Sequence, residues 1–440
     1  MKAVVKKFIP GFLILFYHLV LAKLAAFLYS YPADKMIVIG VTGTNGKSTV
    51  VNLISRILEE AGFKVGLTST YNFKDGRKEW LNDKKMTMPG RFQLQKFLAK
   101  MVKNGCQYAV IETSSEGIRQ FRHLGINYDL AVFTNLTPEH IESHGSFENY
   151  KKAKGKLFAS LKKFKNKKIN GRPIKKIIIA NLDDGHSDYF LSFPADEKYG
   201  FGLKEGEVKK EGINKILAGQ TSADGEESVF AYGGHEFRTK LLGEFNISNC
   251  LAALAAGLSQ GISLEKIKSA LEKVKNLPGR LEFIETGRNF KVLVDYAPEP
   301  ASMEKLYGVI KLIKKNRVIH ILGSCGGGRD KARRPILGRL AGEKADIVIV
   351  TNEDPYDENP LEIINQVAGG AEEKGRILDK DLFKIPDRRK AIKLALEKAS
   401  ANDLVVITGK GAEQAICVQA GQKIPWDDRR IVREILANLS

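Results

Sequence analysis

MIVIGVTGTNGKSTVVNLISRILEEAG, Met36 to Gly62, decides the fold of this chain. MIVIG is an apolar, β-branched run of the length of a buried strand, and the segment after Lys47 repeats its apolar residues at helical spacing. Between them lies a glycine-rich turn, and the helix opens on Lys47, Ser48 and Thr49. A strand, tight turn and helix in that order gather the turn's backbone N–H groups and the free N–H groups of the helix start around an anion. Gly43, Thr44, Asn45 and Gly46 then cradle a polyphosphate, Lys47 reaches its outer phosphates, and the Ser48 or Thr49 hydroxyl binds Mg²⁺. The commonest phosphate-loop spacing would place glycine at Val41, so this loop, with Gly40, Gly43 and Gly46, is a variant. Packing alone also selects glycine-rich turns, but it does not ask for Lys-Ser-Thr at the helix start.

At 440 residues the chain exceeds what one hydrophobic core usually serves, so two or three domains are expected. Its 43% apolar and 28% charged residues describe a globular protein, and a formal charge of +19 suits nucleotides, UDP-sugars, anionic lipid head groups or nucleic acid alike. Runs such as Lys162 to Lys168 read as solvated surface. Cys106, Cys250, Cys325 and Cys417 stand far apart without a C-x-x-C pair, which argues against a zinc ribbon or disulfide framework and fits a reducing cytoplasm.

Phe8 to Tyr31, FIPGFLILFYHLVLAKLAAFLYSY, is apolar nearly all round a helix, broken by His18 and Lys23. Its length suits a bilayer crossing. Yet Lys2, Lys6 and Lys7 precede it, and positive residues kept inside would carry the phosphate loop outside, away from ATP. A helix lying in the cytoplasmic leaflet, a hairpin broken near Lys23, an insertion against the charge bias, or a helix packed on the protein itself would each resolve the conflict. A cleaved leader is not indicated, since no A-x-A-like site precedes the strand. The expectation is a membrane-associating helix over residues 1–35 of a protein at the inner face of the membrane.

Beyond Gly62, YAVIE (Tyr108 to Glu112), LAVFTNL (Leu130 to Leu136) and KKIIIANLDD (Lys175 to Asp184) alternate with helical segments, which implies α/β with a mostly parallel sheet. Residues 185 to 242 carry short alternating strands and glycine-rich turns, expected to form an antiparallel annex. Helical patterning returns at NISNCLAALAAGLSQ and SLEKIKSALEKV, and LPGR, Leu277 to Arg280, punctuates the chain. KVLVDYA, RVIHILGS, ADIVIVTN and DLVVITG then give a second, Rossmann-like series whose strands end in loops where ligands bind. The expected domains are 36–279 and 280–440.

In order, TGTNGKST, IETSSEG, FTNLTPEHIESHG, YKKAKGKLF, GEFNISNCLAA, LPGRLE, VDYA, GSCGGGRDKARRP and GKGAE resemble the Mur ligase family over residues 36 to 440, most of all its MurE branch. That resemblance implies an ATP- and Mg²⁺-dependent ligase of peptidoglycan precursor synthesis. Such an enzyme turns the carboxylate of a muramoyl-dipeptide into an acyl phosphate and joins an amino acid to it. It implies Lys47, Glu112, His140 and Lys154 as catalytic residues, with Ser48, Glu112, His140 and a Lys154 carbamate at the metal. A carboxylate at the strand end beside the phosphate loop suits Mg²⁺, and carbamylation would turn a repelling ammonium into an anion. Asn135, Asn246, Asn249, Arg280 and Asp295 are implied at the nucleotide. Asn246 and Asn249 lie one helical turn apart, and Asn246 could also cap the helix. Thr87, Ser114, Ser115 and Arg122 are implied at the acceptor, and Arg329, Asp354, Gly409 and Glu413 at the amino acid.

Departures bear on the substrates. MurE-type enzymes usually begin with a UDP-gripping domain, whereas about 35 residues precede this phosphate loop, so UDP recognition would fall to a partner subunit, to the muramoyl-peptide alone, or be replaced by a lipid-linked acceptor. Met88 replaces the second threonine of the acceptor motif, and Glu116, Pro298 and Ala412 replace histidines. The loop Glu353-Asp354-Pro355-Tyr356 lacks the arginine that receives the distal carboxylate of meso-diaminopimelate. Its acids point to L-lysine or another diamine, with Arg329 as the alternative carboxylate partner. A folylpolyglutamate-synthase-like ligase and a non-catalytic ATP-binding scaffold are the competing readings. A lipid-precursor amidating subunit would need a four-cysteine insertion absent here, and no nucleic-acid partner is implied.

Overall fold

The computed structural model describes residues 11–138, 144–164, 166–203 and 212–439. They form two compact units, one of Met1–Thr221, Phe230–Phe237 and Asn246–Lys273, the other of Ser222–Val229, Arg238–Phe245 and Val274–Ser440.

The first unit begins with helix α1 (Gly11–Leu28), then β1 (Ile37–Thr42), α2 (Lys47–Glu60), β2 (Val65–Thr68), β3 (Asn72–Asp75) and β4 (Glu79–Leu81). Next come α3 (Arg91–Lys103), β5 (Tyr108–Glu112), α4 (Ser115–Arg119), β6 (Leu130–Phe133), α5 (Phe147–Ser160), β7 (Ile177–Asn181), α6 (Ser187–Leu191), β8 (Glu197–Gly202) and β9 (Asn214–Leu217). Their nine strands run in the order β9-β8-β7-β6-β1-β5-β2-β3-β4. All neighbours from β9 to β2 pair in parallel, and the pairs β2-β3 and β3-β4 at one edge are antiparallel. The expectation of an antiparallel annex therefore fails for β8 and β9, which extend the main sheet; burial of Phe201 and Ile216 holds them there. Short strands follow at Thr221–Ala223 (β10), Ser228–Tyr232 (β11) and His235–Thr239 (β12), forming a separate three-stranded sheet.

Helices α7 (Glu244–Ser259) and α8 (Leu264–Glu272) lie with α2 on one side of the large sheet, where Gly257 lets Ile57 and Ile267 approach. On the other side Leu94, Leu98, Ile118, Leu157 and Phe158 of α3, α4 and α5 pack on Val38, Ile111, Phe133 and Ile178 of the strands. Beneath the sheet, fully buried Asp129 accepts from Lys167 Nζ at 2.5 Å and Lys176 Nζ at 2.9 Å. Burial pushes Lys167 down to about 8 against the pull of Asp129, so the cluster costs desolvation and repays it by pinning Val38, whose N–H also reaches Asp129.

Among the described residues no helix is long and apolar enough to cross a membrane. The apolar N-terminal segment ends its helix at Leu28, where Ser30 and Tyr31 turn left-handed, and Ala22, Ala25 and Ala26 are buried, with α1 packed against α3. Phe8 to Pro10 of that stretch lie outside the described residues, and the described remainder packs one face on the protein.

The second unit carries β13 (Glu282–Ile284), β14 (Lys291–Val294), α9 (Pro300–Leu312), β15 (Val318–Leu322), α10 (Arg333–Lys344), β16 (Ile347–Thr351), α11 (Pro360–Glu372), β17 (Leu382–Ile385), α12 (Arg388–Lys398) and β18 (Leu404–Ile407). Its sheet order is β13-β14-β18-β15-β16-β17, parallel except for β13. The hairpin β19 (Ala415–Cys417) and β20 (Lys423–Pro425) and helix α13 (Asp428–Asn438) complete it. Fully buried Arg388 pairs with Asp428 through two bonds of 2.8 and 2.7 Å and donates to the Thr408 carbonyl, fixing the chain where β18 ends.

Candidate active site

In the first unit β1 lies between β5 and β6, with Val41 opposite Glu112 and Thr42 opposite Phe133. The loops after β2, β5, β1 and β6 therefore open at one edge of the sheet, where parallel sheets bind ligands. The phosphate loop needs its glycines: Gly43 has φ +153° and Gly46 φ +80°, and a Cβ on Gly46 would stand 2.3 Å from Asn249 Oδ1. The segment after β6 straps this loop. Asn135 accepts at its backbone carbonyl from Thr44 N–H (2.8 Å) and at its side chain from Asn45 N–H (2.9 Å), while Thr134 Oγ1 donates to the Asn45 carbonyl (2.7 Å). Lys47 Nζ donates to the Thr44 carbonyl at 2.5 Å.

Buried Ser48 donates to Glu112 Oε2 at 2.7 Å. Thr70, two residues past β2, gives Glu112 two further donors, its N–H at 2.7 Å and its hydroxyl at 2.9 Å, and that hydroxyl also lies 3.0 Å from Thr87 Oγ1. Thr70 escaped the sequence reading; its only signal is the polar Thr-Ser-Thr that ends the β2 run. Hydroxyl and carboxylate oxygens of this kind fit a hard divalent cation such as Mg²⁺. Buried Lys154 donates to the Gly43 carbonyl at 2.6 Å, with its ammonium 4.3 Å from the centre of the Tyr150 ring. His140 lies outside the described residues.

Asn246 does not cap α7, which starts two residues earlier at Glu244; instead Asn246 Oδ1 accepts from Asn249 Nδ2 at 3.0 Å. Near Thr87, Ser114 caps α4 by accepting from Gly117 N–H, and Ser115 Oγ lies 3.2 Å from His144 Nε2, a buried histidine the sequence reading did not single out. Arg122 donates to the Met88 carbonyl and to Gln120 Oε1.

In the second unit Gly279 packs on the backbone of Gly411 and Ala412, which brings the LPGR turn onto the GKGAE loop. The Arg280 guanidinium lies 4.5 Å from the Tyr296 ring centre. Burial pushes the Asp295 carboxyl up, against the Arg280 charge and the N–H groups of Leu281 and Ala297. Gly409, at φ +101°, lets Glu353 Oε2 approach its Cα, while Cys325 Sγ donates to Glu353 Oε1 at 2.8 Å. Fully buried Lys410 donates to Asp354 and Glu413, each at 2.8 Å, and Asp354 also accepts from Cys417 N–H. Glu353 and Asp354 are therefore engaged inside the protein. Arg329 neighbours Cys325, Tyr296, Tyr356 and Glu353.

Residues 41–257 match the Mur ligase middle domain, and 279–411 match the Mur ligase, glutamate ligase domain. The chain is 38% identical over 426 residues to the UDP-N-acetylmuramyl-tripeptide synthetase of Roseiflexus sp. (strain RS-1), covering 95% of this chain and 82% of that protein. The chain belongs to the Mur ligase family. It is also 37% identical over 415 residues to the UDP-N-acetylmuramoyl-L-alanyl-D-glutamate--2,6-diaminopimelate ligase of Geobacillus kaustophilus (strain HTA426), covering 94% of this chain and 81% of that one. A solved 2,6-diaminopimelate ligase of the same name superposes with TM-score 0.58 at 28% identity, over 92% of this chain and 79% of that chain. Mycobacterium tuberculosis folylpolyglutamate synthase shares the fold, at TM-score 0.68 and 16% identity over 90% of this chain and 93% of that one. As a Mur ligase the protein is an ATP-dependent amide ligase of peptidoglycan synthesis.

Proposed function

We propose that this Mur ligase activates the carboxylate of a muramoyl-dipeptide with ATP and joins 2,6-diaminopimelate to it. The observation that carries the reading is the hydrogen-bonded chain Ser48–Glu112–Thr70–Thr87, which links the phosphate loop to the acceptor motif within one unit. Gly43 to Thr49, Asn135, Asn246 and Asn249 surround the polyphosphate, and Lys47 moves from the Thr44 carbonyl to the γ-phosphate. For Arg280 and Asp295 a nucleotide role rests on the family motif alone. Ser48 and Glu112, with His140 and a carbamylated Lys154, would hold Mg²⁺, which when bound supplies positive charge to the phosphate oxygens. An acceptor carboxylate oxygen, near Thr87, Ser114, Ser115 and Arg122, bonds to the γ-phosphorus as the bond to ADP breaks. The amine then adds to the acyl carbon, phosphate leaves, and one proton is released, giving the amide.

Supporting diaminopimelate over L-lysine, Asp354 and Glu413 are both paired with Lys410, and Glu353 accepts from Cys325, so the acidic loop offers less countercharge to a cationic side chain than its sequence suggests. Arg329 remains for the distal carboxylate, with Gly409 and Glu413 beside the amino acid. We place the enzyme at the cytoplasmic face of a membrane. Phosphate release that requires both a muramoyl-dipeptide and an amino acid, with the amide identified by mass, tests the reading; release with neither dependence would overturn it.

A further inference from the structure

Two buried asparagines behind the proposed metal-binding oxygens stand where neither helix nor strand favours them. Asn52 lies inside α2, four residues after Ser48, and Asn72 opens β3; they are 2% and 1% exposed. Asparagine is a poor residue for a helix interior and is depleted in strands, because its amide competes for backbone partners. Burying that amide costs free energy unless its polar atoms are met. Here all of them are. Asn72 Nδ2 donates to Asn52 Oδ1 and to Glu79 Oε1, each at 2.8 Å, while Asn72 Oδ1 accepts from Asn52 Nδ2 at 3.1 Å and from Ser69 Oγ. Asn52 Nδ2 gives its second hydrogen to the Ser48 carbonyl at 2.9 Å. Both amides are thereby fixed in orientation, and an aspartate at either position would lose two donors.

These bonds close a circuit. Ser48 and Thr70 reach Glu112 from α2 and from the turn after β2, and Thr70 lies within that turn, where Ser69 N–H donates to the Asn72 carbonyl at 2.9 Å and Asn82 Nδ2 to the Ser69 carbonyl at 3.0 Å. From Ser48 the path runs to Glu112, Thr70, along the turn to Asn72, across to Asn52 and back to Ser48. Its front half carries the oxygens proposed for Mg²⁺ and the link to Thr87. Its rear half is the asparagine pair.

We propose that Asn52 and Asn72 are positioning residues for the ligation. Their paired amides set the separation of Ser48 and Thr70 around Glu112 and, through Thr70, the place of Thr87, so that metal affinity and acceptor affinity are adjusted together. This rests on the reading of Ser48, Glu112 and Thr87 given above.

In calorimetry Mg²⁺ should tighten ADP binding to the wild-type chain, and Asn52→Ala and Asn72→Ala should each weaken that effect by about fivefold, as for one neutral hydrogen bond, with ADP affinity in EDTA unchanged. Alanine raises helix propensity at position 52, so Asn52→Ala keeps its fold. In ligation assays both variants should raise the half-maximal Mg²⁺ concentration and the KM for the acceptor, and leave the KM for the amino acid as in wild type. Asn72→Asp should fall further, because its carboxylate would face Glu79, and Asn72→Asp/Glu79→Gln should recover part of the loss by returning a donor to the pair. A merely structural role would lower urea stability and kcat without moving the Mg²⁺ or acceptor dependence. That result, or wild-type values in both alanine variants, would overturn the proposal. A wild-type chain that binds ADP with Mg²⁺ yet forms no amide would strike the ligase reading, while the calorimetric difference between wild type and the alanine variants would still uphold the positioning role.

Discussion

Thr70 holds Glu112 by both carboxylate oxygens, its N–H on one at 2.7 Å and its hydroxyl on the other at 2.9 Å. A residue that orients a proposed metal ligand without touching the reacting atoms should act through metal affinity. Thr70→Val is expected to raise the Mg²⁺ concentration for half-maximal ligation by about 10- to 100-fold, and Thr70→Ser to restore it largely. Equal Mg²⁺ dependence in wild type and Thr70→Val, measured by titration of ligation rate, would remove the positioning role.

Lys47 is the cation nearest the developing phosphate charge in the proposed reaction. Lys47→Ala should therefore lower kcat by at least about a thousandfold while the protein remains folded. Wild-type turnover in the purified variant would refute the phosphate-loop assignment.

Lys154 is buried with its nitrogen on the Gly43 carbonyl, at the rim of the phosphate loop. If CO₂ adds to that amine, Lys154→Ala should lose nearly all activity, and short carboxylic acids should restore part of it by supplying the missing anion. An intact-mass measurement without the carbamate, together with an active Lys154→Ala, would end the proposal.

Arg329 is assigned to the distal carboxylate of the amino acid. Wild type should prefer meso-diaminopimelate over L-lysine in kcat/KM, and Arg329→Gln should erase most of that preference, worth about 1.5–3 kcal/mol for a charged hydrogen bond. A wild-type preference for L-lysine would reverse the assignment.

His320 is fully buried in the second unit, with Tyr307 on Nδ1 at 2.7 Å and Thr408 on Nε2 at 3.0 Å. Burial pushes its pKa from 6.5 down to about 3. The unfolded chain takes up this proton before the native protein does, so stability falls as pH drops from 6.5 toward 3, by up to about 4 kcal/mol over the window. Urea unfolding at pH 7.5 and pH 5 should show the loss, and His320→Gln should flatten it. A slope unchanged in the variant would assign the effect elsewhere, with buried His123, also pushed down to about 3, the next group to test.

The phosphate loop was legible because its requirements are local: glycines where φ is positive, a strand before and a cation after. The strands of the second unit's core were legible for the same reason, as dense β-branched runs. Thr70 was not, since its contact with Glu112 depends on β2 pairing with β5, with Thr68 opposite Ile111, and nothing near Thr70 encodes that partner. Parallel pairing of β8 and β9 was missed likewise, because alternating strands announce a half-buried surface without naming their neighbours. Asp354 misled in the opposite way: its charge is plain in the sequence, but its partner Lys410 lies 56 positions away.

Lys47 also has a competitor inside its own loop. The Thr44 carbonyl already takes its ammonium, while Asn135 keeps the neighbouring backbone in shape. An entering anion must therefore outbid a ready-made ligand, which sets a threshold: a lone phosphate gains too little to detach the lysine, whereas a polyphosphate held along the whole loop gains enough. Calorimetry should find inorganic phosphate and AMP bound far more weakly than ADP or ATP, with Lys47→Met narrowing that gap, so that the resting contact acts as a filter on chain length of the phosphate.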